Sequence, residues 1–258
     1  MSGIDFDVTF FVKYLFDPPS IVLKGLGLTV GLALVAQSFG VIIGLFVALA
    51  LQSLVRFWRI WGQFYIWLWR GTPLLVQLLI IYTGVAAAGI YRYPDITLGP
   101  LVLSGPLQAA LITLSLNEAA YMAEIFRAAI LSIDKGQTDA ARAIGMTRGA
   151  AMRWVILPQA ARVVLPPLGN ELTLMIKGTS LLSVIGIREL FGTMQNINAA
   201  TFKTFELFVV AAIYYLVLTT IMGLVQSWLE VRMSRHDLPA AQVFKADYKK
   251  RRLFSGQR

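Results

Sequence analysis

The chain has 258 residues, of which 57% are hydrophobic and 14% are charged, and its mean hydropathy is +0.68. Soluble domains of this length are far less apolar, so the composition predicts an all-α integral membrane protein. The chain lacks cysteine and has a single histidine, His236, which excludes a disulfide framework and leaves no expected metal site. Its net charge of +9 follows the flanks of apolar stretches, which favours membrane topology over nucleic-acid binding.

The apolar pattern divides the chain into three parts. Residues 1–22 form an extracytoplasmic or interfacial segment, in which residues 8–16 are either a short interfacial helix or part of a disordered lead-in. Their acidic, aromatic start lacks the basic region of a signal peptide, so we expect the segment to be retained. Residues 23–232 form the transmembrane domain, and residues 233–258 form a basic cytoplasmic tail.

The first predicted span covers residues 23–51, which is long enough to cross about 30 Å of hydrocarbon with some tilt. Gly27 and Gly31 are four residues apart, as are Gly40 and Gly44. Small residues at this spacing let helix backbones approach closely. We therefore expect both pairs to pack against neighbouring helices.

The second predicted span covers residues 61–89, and a turn containing Arg56 and Arg59 is predicted before it. This span is interrupted by the run Arg70–Pro73 (RGTP). Such a run at membrane depth predicts a broken or kinked helix whose freed backbone groups face protein or water. Residues 90–98 are predicted to form an outer loop.

The third predicted span, residues 106–131, carries an unusual number of polar side chains. Asn117, Tyr121 and Glu124 share one helix face, and Arg127 follows three residues later, so this face is expected to point inward. We assign this group a pore or structural role. A structural ion pair between Glu124 and Arg127 is favoured over a ligand role.

A polar stretch, residues 133–159, separates the third span from the fourth. Each of its charges would cost a few kcal/mol at the bilayer centre, so the stretch is expected to lie in water. An alanine-rich helix over residues 139–144 ends near Gly145, and a second short helical turn is expected to end at Pro158. The pattern is consistent with a docking element or with an ordinary loop.

The spacing of six residues in this stretch favours the docking element. They are Asp139, Ala140, Ala141, Gly145, Leu157 and Pro158. The pattern resembles the EAA motif of bacterial ABC importer permeases, with Asp139 in place of Glu and Val155 in place of Ile. The resemblance implies that this loop couples to a separate ATPase subunit. Asp139 is expected near a helix start, where its alternative role is that of a simple cap.

The fourth predicted span covers residues 168–187 and follows Pro166 and Pro167. Its polar residues are Asn170, Glu171, Lys177, Thr179 and Ser180. We place the substrate here, with the ammonium group of an amino acid on Glu171 and its carboxylate on donors such as Thr179 and Ser180, beside Asn170. Alternatively, Glu171 and Lys177 each satisfy a neighbouring helix.

Three runs resemble ABC permeases for polar amino acids. They are RGTPLLVQL at residues 70–78, the Asn-to-Arg pattern at residues 117–127, and Asn-Glu followed by Lys-x-Thr-Ser-Leu at residues 170–181. Gly178 stands where the family usually has Asp. The chain therefore lacks a negative charge at this position, and this difference bears on the charge balance of the segment and on substrate preference. The resemblance covers about residues 20–235 and implies import of a polar amino acid.

With residues 188–203 as an outer connection and a fifth span at residues 205–229, the termini lie on opposite sides of the membrane. An outside N-terminus puts 15 of the 23 Lys and Arg residues inside and 5 outside, which predicts an N-out, C-in orientation. The polar stretch 133–159 is then cytoplasmic. The basic run Lys249–Arg252 in the tail is expected to meet anionic lipid.

No P-loop motif occurs, so we expect neither enzymatic activity nor a cofactor site in this chain, with ATP and Mg²⁺ on a partner ATPase. The resemblance implies two ATPase subunits, a second identical or similar permease chain, an extracytoplasmic amino acid binding protein and a place in the bacterial inner membrane. Two alternatives are an ion-coupled secondary amino acid carrier, with Glu171 or Glu124 as its proton site, and a non-transporting membrane scaffold.

Overall fold

The computed structural model describes residues 6–99 and 101–234, which are mostly helical. The helices are α1 (Val8–Phe16), α2 (Ser20–Leu51), α3 (Arg56–Gly71), α4 (Leu74–Leu79), α5 (Val85–Ala87), α6 (Gly105–Ser132), α7 (Lys135–Ala143), α8 (Arg148–Ala151), α9 (Leu157–Gly178), α10 (Leu190–Thr201) and α11 (Thr204–Ser234). Two π-helical turns, Ile80–Gly84 and Met152–Ile156, and a 3₁₀ helix, Thr179–Ile185, extend them. Most of the predicted basic tail lies outside the described residues.

Within the described residues, α2 and α11 are long and apolar enough to cross a membrane. The segments Arg56–Gly71 and Leu74–Ala87 qualify together as a third crossing and are bent by 102° at their junction. The predicted break in the second span is therefore present. Arg56 and Arg59 lie in the first turn of α3 and not in a separate turn, which corrects that expectation.

The packing of α2 against α6 is the most extensive helix contact of the fold. An added Cβ at Gly44 would lie 2.7 Å from the Met122 Cβ and 2.9 Å from the Ala119 carbonyl oxygen, and one at Gly40 would collide with Glu118. The prediction of close packing is confirmed for this pair. It is wrong for Gly27 and Gly31 within the described chain, because both are exposed with nothing within 4 Å of an added Cβ.

The N-terminal segment contains the predicted short helix, α1. Asp7 caps it by accepting from the Phe10 backbone N–H, and its carboxylate lies 3.0 Å from the Lys203 ammonium. The Phe10 hydrogen bond, followed by the Lys203 charge, holds the pKa of the Asp7 carboxyl below its usual range. These contacts attach α1 to the residues that precede α11.

The connection predicted as an outer loop at residues 90–98 contains a strand instead of being wholly irregular. Strands β1 (Ile96–Leu98) and β2 (Leu101–Leu103) form an antiparallel hairpin. The Asp95 carboxylate accepts from the Gly105 backbone N–H at 2.8 Å and so ties the hairpin to the start of α6. A fold class described as all-α therefore omits this small sheet.

The segment predicted as a fourth span differs from its prediction, because α9 begins at Leu157 and continues through Pro166 and Pro167. Packing from α11 supports this segment: the Gln226 side chain donates to the Pro166 carbonyl at 2.9 Å and lies against Gly169. Membrane helices tolerate proline where neighbouring helices provide such contacts. The 3₁₀ helix then follows α9 directly.

The predicted outer connection, residues 188–203, is largely helical, since it contains α10. Glu189 precedes this helix and is fully buried. Its carboxylate accepts hydrogen bonds from the Thr29 hydroxyl of α2 at 2.9 Å, the Tyr215 hydroxyl of α11 at 2.7 Å and the Gly192 backbone N–H at 2.8 Å. A buried carboxylate requires such donors, so this Glu189 cluster joins three helices.

Gly44→Leu tests the close packing of α2 on α6. We expect it to lower the free energy of unfolding by at least about 1–3 kcal/mol, because the new side chain must displace Met122 and the α6 backbone. Gly31→Leu is the matched control, with an expected change within about 0.5 kcal/mol. The measurement is chemical unfolding of the purified chain in detergent. Equal losses for the two variants would contradict the packing described.

Candidate substrate site and coupling loop

The break between α3 and α4 is closed by two amide side chains. The Gln77 amide nitrogen lies 2.8 Å from the Trp69 carbonyl oxygen and 2.7 Å from the Thr72 hydroxyl. The Asn117 amide donates to the Gln77 side-chain oxygen at 2.8 Å and to the Trp69 carbonyl at 3.2 Å. Backbone groups freed at the break thus face protein, as predicted, and Asn117 has a structural contact. Gln77 lies in the RGTPLLVQL run but was not singled out from the sequence.

An exposed cation, Arg70, lies beside this break. The Arg70 guanidinium, at the end of α3, lies 5.2 Å from the centre of the Tyr121 ring of α6. Arg70 also attracts the half-buried Glu171 carboxylate of α9. Helices α3 and α6 therefore meet here, and Glu171 of α9 is close enough to feel the Arg70 charge. Arg70 was predicted only as part of the helix break.

A second carboxylate lies near Glu171. Glu118 of α6 is only 4% exposed, and it lies within electrostatic reach of Glu171. Gln37 of α2 is equally buried, and its amide points at the Met122 sulfur at 3.7 Å. One side-chain oxygen of Glu118 and one of Gln37 have no hydrogen-bond partner in the described part of the chain. The sequence signal for Glu118 was its charge within an apolar span.

Of the remaining predicted substrate residues, Asn170 lies in α9, and Thr179 and Ser180 lie in the 3₁₀ helix. Asn170 is exposed beside Glu171. The Ser180 hydroxyl donates to the Lys177 carbonyl at 2.8 Å, and the Lys177 side chain is exposed. Thr179 is fully buried, and its hydroxyl donates to the Ile176 carbonyl at 2.8 Å. Thr179 is therefore inaccessible to a ligand in this conformation.

The expected ion pair of α6 is present. An Arg127 guanidinium nitrogen lies 2.8 Å from the Glu124 carboxylate, and both side chains are partly exposed. They line a cavity of about 500 Å³ together with Gln63 and Trp67 of α3. The predicted face of α6 thus points towards α3 along its length, through Asn117, Tyr121 and Glu124.

The polar stretch folds as two short helices, α7 and α8, joined at Gly145. Gly145 adopts a left-handed conformation, with φ of +84°. The N-cap of α7 is Asp134, whose carboxylate accepts from the Gly136 N–H at 2.6 Å. Asp139 lies in the middle of this helix, so the expectation that it lies near a helix start is wrong.

The motif residues divide between the surface of the loop and its base. Ala141 is buried, whereas Asp139, Ala140 and Gly145 are exposed, as is 78% of Ile144. Leu157 and Pro158 form the first turn of α9, where a missing proline N–H costs little. The second short helix therefore does not end at Pro158 but continues through a π-helical turn into α9, which corrects the prediction.

A buried cluster joins the loop to the membrane helices. Met122, Ala129 and Ile130 of α6 pack with Ile156 of the π-helical turn and with α9 residues Ala160 and Val164. The Gln159 amide also lies 3.3 Å from the Gln137 side-chain oxygen of α7. These contacts attach the loop to both α6 and α9.

Comparison with known proteins identifies the family. Residues 40–235 match the model of the "Binding-protein-dependent transport system inner membrane component" family. The chain belongs to this permease family. It is 40% identical to the L-cystine transport system permease protein TcyB of Bacillus subtilis, over 84% of this chain and 88% of that protein. It is 35% identical to the glutamine transport system permease protein GlnP of Escherichia coli K12, over 83% and 93%.

A solved structure supports the same assignment. The permease has a TM-score of 0.78 and 38% identity to a chain from the "Crystal structure of an amino acid ABC transporter with histidines", covering 89% of this chain and 100% of that one. Membership in this family supports an ABC importer permease over an ion-coupled carrier. It also makes the permease a membrane-embedded subunit that is not itself catalytic.

Gln77→Leu tests the closure of the helix break. The substitution removes the donor to Trp69 and Thr72 and the acceptor for Asn117, so we expect a loss of about 1–2 kcal/mol in the free energy of unfolding. Gln63→Leu, an exposed glutamine of α3, is the matched control and should cost less than about 0.5 kcal/mol. Unfolding of the detergent-purified permease by SDS measures both. A stability loss no larger than that of the control would refute the structural role of Gln77.

Proposed function

We propose that this permease is the membrane-spanning subunit of an ATP-driven amino acid importer in the bacterial inner membrane. A second identical or similar permease chain would complete the translocation path. The observation that carries the substrate class is an exposed cation, Arg70, within electrostatic reach of a half-buried carboxylate, Glu171. The named relatives, which include cystine and glutamine permeases, support the same class.

The proposed topology has five crossings. They are α2, the bent segment α3–α5, α6, α9 with its 3₁₀ extension, and α11. An N-out, C-in orientation is supported by the excess of Lys and Arg on the side of the loop. The hairpin β1–β2 and α10 then lie towards the outside, and α7 and α8 lie in the cytoplasm.

The substrate site is proposed at the meeting point of α3, α6 and α9. Glu171 would receive the ammonium group of the amino acid, and Arg70 would receive its carboxylate. Asn170 is the exposed amide beside Glu171, and Ser180 is within the same polar segment. In this assignment the substrate carboxylate binds Arg70 and not Thr179, because Thr179 is buried and Arg70 is exposed.

The proposed mechanism uses the loop as the mechanical link. Two ATPase subunits, which hold ATP and Mg²⁺, would contact the exposed face formed by Asp139, Ala140, Ile144 and Gly145. When ATP draws the ATPases together, the loops follow, and the buried cluster passes that displacement to α6 and α9. An extracytoplasmic binding protein would deliver the amino acid to the outward-facing state.

Glu171→Gln tests the substrate role without changing side-chain size. We expect uptake by the complete transporter in proteoliposomes to fall at least tenfold, because the amide offers the substrate ammonium no negative charge. ATPase association, followed by co-purification, should remain unchanged. Asp17→Asn, at an exposed carboxylate, is the control and should transport normally. Unchanged uptake by the Glu171 variant would remove Glu171 from the site.

Gly145→Val tests the coupling role of the loop. A β-branched residue strains the left-handed conformation at φ of +84°, so the loop surface should distort. We expect weaker co-purification of the ATPase and at least a fivefold loss of transport-coupled ATP hydrolysis. Gly149→Val is the matched control, because Gly149 lies in the same loop with open space around it. Normal coupling in the Gly145 variant would count against a docking role for this turn.

A further inference from the structure

A second polar cavity lies where the loop meets the membrane helices. It has a volume of about 350 Å³ and is bounded by the end of α2, the end of α6, and helices α7 and α8 with the π-helical turn that follows. Its charged lining residues are Lys135, Arg142 and Arg148. The lining described by the structure contains no Asp or Glu. The cavity is therefore strongly positive.

The wall of this cavity also contains a hydrogen-bond donor that lacks an acceptor. The side-chain nitrogen of Gln52 is buried and has no partner within residues 6–99 and 101–234. The Gln52 backbone carbonyl meanwhile accepts from the Arg148 guanidinium at 3.2 Å, which holds Arg148 at the same wall. Gln52 also lines the neighbouring cavity that contains Glu124, so the signal for an anion here is the three cations, which suit a ligand with several acceptor oxygens.

The other wall of the cavity is apolar. Ile130 and Ile156 already pack in the buried cluster, so the apolar surface that stays open at this wall is that of Leu131, which is 64% exposed. The glycerol and upper acyl region of a lipid can cover this side chain, whereas a small soluble anion cannot. The two walls together match a molecule with a phosphate at one end and hydrocarbon at the other.

We propose that this cavity binds the phosphate-bearing headgroup of an anionic phospholipid from the cytoplasmic leaflet. The proposal rests on the proposed orientation, which puts the ends of α2 and α6 at the inner membrane surface. Anionic lipids concentrate there and attract clustered Lys and Arg side chains. The bound lipid would lie between the membrane helices and the loop, so it would support the loop position that the ATPase contacts.

The test measures retained lipid by native mass spectrometry of the purified permease–ATPase complex, first supplied with phosphatidylglycerol and then with phosphatidylcholine. We expect retention of about one phosphatidylglycerol per permease chain and little phosphatidylcholine. The double variant Lys135→Gln/Arg142→Gln should retain phosphatidylglycerol about 25-fold less tightly, at roughly fivefold per removed charge. The control Arg56→Gln/Arg59→Gln removes two cations of α3 outside the cavity and should behave as the unsubstituted complex.

Three results would overturn the proposal. They are equal retention of both lipids, unchanged retention by the double variant, and saturation of the site by inorganic phosphate in lipid-free detergent, which would make the ligand a soluble anion. In the second case, loss of the ATPase by the double variant would assign the two cations to the ATPase contact. Arg142→Lys alone should keep the lipid, which separates charge from misfolding. Lipid retention requires no transport, so this outcome is independent of uptake by the Glu171 variant.

Discussion

The fold depends on one constraint, that polar backbone groups at membrane depth must find partners inside the protein. Helix α3 can end at Gly71 because Gln77 and Asn117 bind the carbonyls exposed there. Helix α9 can continue through two prolines where Gln226 of α11 contacts it. The break also leaves Arg70 exposed in the last turn of α3. The polar side chains that close the backbone therefore lie beside the site proposed for the substrate.

Features set by local chemistry could be predicted from the sequence. The Arg70–Pro73 run was enough to predict the helix break, and two short helices meeting near Gly145 were predicted from the alanine-rich run and the glycine that follows it. The path of α9 through Pro166 could not be predicted, because it depends on Gln226, which is 60 residues away in the chain. Similarly, spacing identified both glycine pairs of α2, but only tertiary packing distinguishes Gly44 from Gly31.

The candidate site shows the same division. Glu171 stood out as a charge in an apolar segment, and the ion pair between Glu124 and Arg127 followed from helical spacing. The charged residues near Glu171 could not be inferred from the sequence, because Arg70 and Glu118 come from other helices. The helical position of Asp139 was also missed, since Asp134 is an equally good cap and lies closer to the true start of α7.

The Glu189 cluster has a consequence for how the permease can move. On the proposed topology this fully buried carboxylate lies near the outer face, where it fastens α2, α10 and α11 to one another. Helices α6 and α9 carry the loop at the opposite face and make no hydrogen bond to that carboxylate among those described. Helix α6 is nevertheless held against α2 by the close packing at Gly40 and Gly44. On the proposed mechanism, a displaced loop would therefore carry α2 together with α6, and the Glu189 cluster would pass that motion on to α10 and α11.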